Sequence, residues 1–206
     1  MKHVPKTRYS KKKFYDYLYK KRPENIICTD ETSLRLFSVR KKRRSRIGIR
    51  CAIKTTNQQV FEKYTGIFAI SSFKIIGYKI YTKGGINSER LLKFLQKNFQ
   101  NVKNKIIILD NASSHRNKKV KDFITKDNFL LYTVLYQPRT QAIERFFNLL
   151  KSKLLNKKDL GYEKLYQNVE SILKEIPEEI YYNLIFGAYF KPQKKIIKIK
   201  FSKVTT

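Results

Sequence analysis

Four consecutive branched aliphatic residues, Ile106-Ile107-Ile108-Leu109, run straight into an acid, Asp110. A half-exposed strand alternates apolar with polar residues. A run with no polar member is buried on both faces, so this segment predicts an interior strand of a sheet covered by helices on both sides. A carboxylate at the tip of such a strand is costly to ionise unless something compensates for the lost water. The chain must therefore supply both a helix-covered sheet and a reason for Asp110. One domain suffices, because 206 residues that are 41% hydrophobic, with fourteen Phe and fourteen Tyr, can bury one sizeable core.

The surrounding periodicities fill in the sheet. Ile26-Ile27-Cys28-Thr29-Asp30 predicts a first strand that ends on Asp30, and Ile47, Ile49, Cys51 and Ile53 alternate as a half-buried strand would. Residues 66–71 and 75–81 read as two more strands joined by Ser72-Phe73-Lys74, an antiparallel meander. Ser88 is the expected N-cap of a helix with Leu91, Leu92, Leu95 and Phe99 on one face. After Asp110 come a helix with Val120, Phe123 and Ile124 inward, a strand over 129–135, the turn Gln137-Pro138-Arg139, and a helix capped by Thr140. That helix points Ile143, Phe147, Leu150 and Leu154 one way; a helix over 161–176 follows, and Pro177 opens one more. The fold class is α/β: a mixed sheet, antiparallel meander plus parallel strands, flanked by helices. Residues 1–24 read as a basic arm that precedes the core, 25–190 as the domain and 191–206 as a basic tail.

Lys and Arg total 46 against 16 Asp and Glu, a net charge of +30, and such a field opposes compaction unless a polyanion neutralises it. Lysine-favouring codon usage explains part of this excess. It does not explain six basic residues in seven at Arg40, Lys41, Lys42, Arg43, Arg44 and Arg46, which read as contacts to DNA phosphates. The aromatics fall mostly at core spacing rather than beside these clusters, so base stacking is not indicated. Cys28 and Cys51 form no Cys-x-x-Cys or Cys/His cluster, which argues against zinc or iron–sulfur chemistry and for a reducing compartment. With no eighteen-residue apolar run and no signal peptide, the expectation is an intracellular protein acting on DNA, without a membrane partner.

Three acids occupy strategic places: Asp30 and Asp110 at strand ends, and Glu144 in the first turns of a helix. Strand ends in such sheets border a shared crevice. Magnesium prefers hard oxygen ligands, and phosphodiester chemistry commonly uses two such ions. Spacing alone leaves a plainer reading open, in which Asp110 begins a turn with Asn111 and Glu144 answers the helix dipole. Glu31 alternates away from Asp30 and reads as structural or as a support behind the ligands. His115 could touch a phosphate or orient Asp110, and a supporting role is favoured for it, as for Asn111.

Thr29-Asp30-Glu31-Thr32 resembles the first acidic signature of mariner-like transposases, and the stretch from Leu109 through Asp110, Asn111, Ala112, Ser113 and Ser114 to His115 is similar to their second. The block from Tyr136-Gln137-Pro138 through Ile143-Glu144 and Phe146-Phe147 to Leu150-Lys151 resembles their third, with Glu144 34 positions after Asp110. The resemblance covers residues 25–155 and implies the ribonuclease H-like fold of the DDE endonucleases, including the bacterial insertion-sequence branch. It implies Asp30, Asp110 and Glu144 as a triad holding magnesium or manganese, two ions in all. It further implies hydrolysis at transposon ends, strand transfer into target DNA, and a homodimer. Gln141-Ala142 departs from the asparagine-proline of many members. Residues 1–25 leave no room for the helix-turn-helix module that relatives place upstream, so a separate DNA-binding subunit, a split gene or a remnant is expected. Competing expectations are another ribonuclease H-like nuclease, or a basic DNA-binding remnant whose triad no longer works.

Overall fold

The computed structural model describes residues 11–35, 47–48, 63–134, 141–155 and 161–190. Strand β1 (Ile26–Arg35) is its spine. Along one edge β1 pairs antiparallel with β2 (Lys63–Ser71), from Ile27↔Ser71 to Arg35↔Lys63. Along the other it pairs parallel with β4 (Ile106–Leu109), from Ile26↔Ile106 to Cys28↔Ile108. β3 (Ile75–Tyr81) adds antiparallel to β2 and β5 (Phe129–Tyr132) adds parallel to β4, giving the order β3-β2-β1-β4-β5. The meander plus parallel strands expected from the sequence is therefore present. Its tight turn is closed by Ser71, whose Oγ accepts from Phe73 N at 3.2 Å and Lys74 N at 3.1 Å.

Helices cover both faces. On one lie α2 (Ser88–Asn98) and α3 (Lys118–Asp127), packed on Ile27, Ile67, Ile107 and Leu109. On the other lie α1 (Lys11–Tyr19), α4 (Ala142–Leu154), α5 (Tyr162–Glu175) and α6 (Glu178–Tyr189), packed on Ile26, Cys28, Phe68, Ile106 and Ile108. Successive residues of β1 and β4 thus feed opposite cores, as strand alternation requires. All four residues of β4 are buried, the two-sided burial that an unbroken aliphatic run demands. α4 docks through aromatics, with the Phe146 and Phe147 rings each 5.8 Å from that of Phe68, which makes both packing residues.

Several expectations need correcting. Residues before Asn25 are not merely an arm: Phe14 and Leu18, one helical turn apart on α1, are completely buried in the core against α6. β1 runs five residues past Asp30, because β2 offers it a partner throughout. The N-cap of α2 is Asn87, whose side chain accepts from Arg90 N at 2.8 Å, rather than Ser88. Gln141 occupies the N-cap position of α4, and Thr140 lies outside the described residues. Ile47 is fully exposed in a turn with Gly48, while Ile49, Cys51 and Ile53 lie outside the described residues, as do 191–206. No described helix is long and apolar enough to cross a membrane.

Candidate active site

Parallel pairing between β1 and β4 stops at Cys28↔Ile108, two residues short of both Asp30 and Asp110. β4 ends at Leu109, whereas β1 continues beside β2, with Asp30 opposite Phe68. Asp30 is therefore a mid-strand residue, placed at the point where β1 loses its parallel neighbour and a crevice opens. Alternation puts Asp30 on the side of Cys28, the side covered by α4, Asp110 follows the end of β4 with its carboxylate held by the turn that leads into α3, and Glu144 sits in the first turn of α4.

The two aspartates have different environments. Asp30 is 7% exposed, and its Oδ1 accepts from Glu31 N at 2.8 Å. Burial, and after it the nearby charge of Asp110, push its carboxyl up to about 7. Burial also acts to raise Asp110, but the pairing with His115 and a hydrogen bond from Ala112 N to Oδ1 at 2.9 Å outweigh it and hold Asp110 below the usual carboxylate range.

His115 is the pivot of this arrangement. Its side chain is completely buried in the turn before α3, and Tyr132 Oη donates to its carbonyl at 3.0 Å. Nδ1 sits against Asp110 Oδ1 as an ion pair rather than an aligned hydrogen bond, and Nε2 meets Glu31 Oε2 at 3.1 Å. Burial alone would lower the imidazole, yet the two carboxylates raise it to about 10, so it is an imidazolium shared between them. The sequence points to His115 as a support but not to its second partner, because 84 positions separate it from Glu31. Glu31 does face away from Asp30, as alternation predicts, and that direction is what brings it to His115.

Asn111 does not point at the aspartates. Its Nδ2 donates to Thr133 O, and its Oδ1 accepts from Arg116 Nη2 at 3.2 Å, which fastens the end of β4 to the end of β5. Glu144 is half-buried and has no hydrogen-bond or ion-pair partner among the described residues. Three contacts hold the start of its helix. Ala142 N donates to Tyr189 Oη at 3.2 Å, Tyr189 Oη lies 3.3 Å from Cys28 Sγ, and Gln141 Nε2 donates to Thr133 Oγ1 at 3.3 Å. The basic cluster Arg40, Lys41, Lys42, Arg43, Arg44 and Arg46 lies outside the described residues.

Among the described residues, no three His, Cys, Asp or Glu side chains are spaced as a ready metal site. The donor chemistry nevertheless fits a hard divalent cation. Asp30 is a buried carboxyl beside a second, ionised one, and a divalent cation between them would favour the charged form of both.

A family model described as DDE superfamily endonuclease matches residues 25–164. No curated protein matches the chain. Among solved structures the chain is similar to the Mos1 strand transfer complex, with a TM-score of 0.73 and 18% identity, covering 91% of this chain and 63% of that one. It is also similar to the Mos1 mariner paired end complex with Mn, with a TM-score of 0.71 and 19% identity over 85% of this chain and 55% of that one. For the catalytic domain of Mos1 mariner transposase the TM-score is 0.66 at 17% identity, over 85% of this chain and 82% of that domain. The chain thus spans about 55–63% of the Mos1 chains in those complexes, and most of the isolated catalytic domain. At such identities the likeness establishes the ribonuclease H-like fold. The family match, which covers more than half of the chain, establishes the rest: this protein belongs to the DDE superfamily endonucleases.

Proposed function

We propose that this chain is the catalytic core of a DNA transposase, in which Asp30, Asp110 and Glu144 hold two divalent ions, magnesium or manganese. The observation that carries the reading is the pairing of Asp30 with Asp110, two acids forced together beyond the β1/β4 parallel pair in a protein of net charge +30. Adjacent carboxylates at a buried site destabilise a fold unless a cation is their partner. When bound, such ions activate the attacking oxygen and neutralise the leaving one. The chain's own part is to fix the carboxylates on one face, to keep Asp110 ionised through His115, and to supply Glu144 from α4 as the third ligand. In the proposed reaction a water oxygen attacks the phosphorus at a transposon end, the bond to the 3′ oxygen breaks, and the freed 3′-hydroxyl attacks a target phosphorus, where its new bond replaces the bond to the target's 3′ oxygen, which leaves as a hydroxyl. No covalent bond to the protein forms.

The partners proposed are double-stranded transposon-end and target DNA, a second copy of the chain, and a separate helix-turn-helix subunit, in an intracellular setting. What supports DNA is the charge and the similarity to a Mos1 paired end complex and a Mos1 strand transfer complex, the former with Mn and a related one with Mg. Arg40, Lys41, Lys42, Arg43, Arg44 and Arg46 are proposed as phosphate contacts on their charge density. The test is plasmid nicking across ions. Nicking is expected in magnesium or manganese, DNA binding without nicking in calcium, and no nicking in chelator. Equal nicking in calcium or in chelator would refute the two-ion reading.

A further inference from the structure

The triad is only as good as the relative placement of β1, which carries Asp30, and α4, which carries Glu144. Nothing in the chain's order joins them, since 114 positions separate the two acids. One buried hydroxyl does. Tyr189, at the last turn of α6 and beyond the stretch that matches the family, is completely buried, and its Oη accepts from Ala142 N at 3.2 Å. Ala142 is the first residue of α4, two before Glu144. Such a first-turn N–H has no partner within its own helix and must find one elsewhere. The same Oη lies 3.3 Å from Cys28 Sγ, two residues before Asp30 on the same face of β1. A phenol has one proton and two lone pairs, so accepting from Ala142 leaves its proton free for the sulfur. The Tyr189 ring is itself wedged by Phe14 of α1, with ring centroids 6.1 Å apart.

We propose that Tyr189 is a positioning residue for the catalytic centre: its hydroxyl clamps the N-terminus of α4 to β1 and thereby sets the distance from Glu144 to Asp30 and Asp110. This also accounts for Ala142 where a proline would remove the N–H: a proline Cδ in place of that hydrogen would collide with Oη, so the alanine and the tyrosine go together. The inference rests on the metal-holding role proposed for the three acids.

The test compares wild type with Tyr189→Phe, which keeps the ring and deletes only the hydroxyl. Manganese affinity is measured by calorimetry on protein without DNA, together with kcat and KM for plasmid nicking. The hydroxyl's loss is expected to weaken manganese binding and to lower kcat, each by about ten-fold, with KM for DNA unchanged. A lower melting temperature with wild-type manganese affinity and kcat would make the hydroxyl merely structural and overturn the inference. Should Tyr189→Phe fail to fold, Cys28→Ala and Cys28→Ser replace it. The serine, which restores a hydrogen-bond partner, should recover affinity that the alanine loses, and equal, wild-type affinity in both would overturn the clamp. Failure of the underlying reading looks different, because wild type itself would then neither bind manganese nor nick DNA, and both proposals would fall together.

Discussion

Asp30 and Asp110 are the same residue type in one crevice, but their surroundings give them opposite tendencies. Asp30 has lost its water and faces a charge of like sign, which together push its carboxyl up to about 7. Its folded value lies above the unfolded one of about 3.9. The stability it contributes is therefore fully present below about pH 4 and is lost as pH rises through about 7. Asp30→Asn does not titrate. In chelator it should melt higher than wild type at pH 8, by about 2–4 °C per kcal/mol relieved, with the advantage fading as pH falls towards 4. A gap that does not change with pH would contradict the burial account. Crowding of acids alone would give the same relief on neutralising Asp110, but its pairing with His115 reverses the sign, and Asp110→Asn should stabilise nothing. Glu31→Gln tests the other side of that imidazolium. His115 titrates near 10 instead of near 6.5, so the pairing stabilises fully below about 6.5 and is lost through about 10. Glu31 is partly open to water, so the variant should lose about 1–2 kcal/mol in urea unfolding at pH 6 and much less at pH 10.5. Equal losses at both would show that the pair is not charged.

At the scale of elements, legibility follows periodicity. β4 was readable because an unbroken aliphatic run has few other uses, and α4 because Ile143, Phe147, Leu150 and Leu154 repeat on one face and are all buried. α1 was hidden by its charge: Lys11, Lys12 and Lys13 dominate the segment, and the pair Phe14 and Leu18 is too short a pattern to stand out. It is nonetheless part of the core, since both side chains are fully buried. Leu18→Ala should therefore cost about 3 kcal/mol in denaturant unfolding, the usual loss for a buried leucine, whereas a basic arm outside the core would tolerate it within about 0.5 kcal/mol. The length of β1 was not legible either. Thr29 to Leu34 lacks an apolar run, and it is the register with β2 that extends the strand beyond Asp30. The candidate site was legible only as a nomination of Asp30, Asp110 and Glu144 from local pattern, a strand run or a helix's first turn, and Asp30 lies mid-strand rather than at the expected strand end. It was not legible where the role depends on a distant partner, as for Glu31 with His115 or Tyr189 with Ala142.

At the scale of the whole molecule, the fold does what no segment can. Two helical layers of unequal size enclose one sheet, and Asp30, two residues after Cys28 on β1, lies on the side of the layer with α4. The chain that holds the acidic pair carries a net charge of +30, so in the proposed role a polyanion would be drawn in by the field and then meet two carboxylates that need a cation between them and its phosphates. Catalysis on this account is a property of the assembled crevice, and deleting one ligand's charge while keeping its shape should abolish it without dissolving the assembly. The most direct measurement is plasmid nicking in magnesium by wild type and Asp110→Asn, with DNA affinity measured on the same samples. The account predicts wild-type nicking, loss of about a thousand-fold or more in the variant as expected for removal of a metal ligand, and DNA affinity nearly unchanged. Nicking by Asp110→Asn at the wild-type rate would mean that Asp110 holds no catalytic ion, and the central claim would fail.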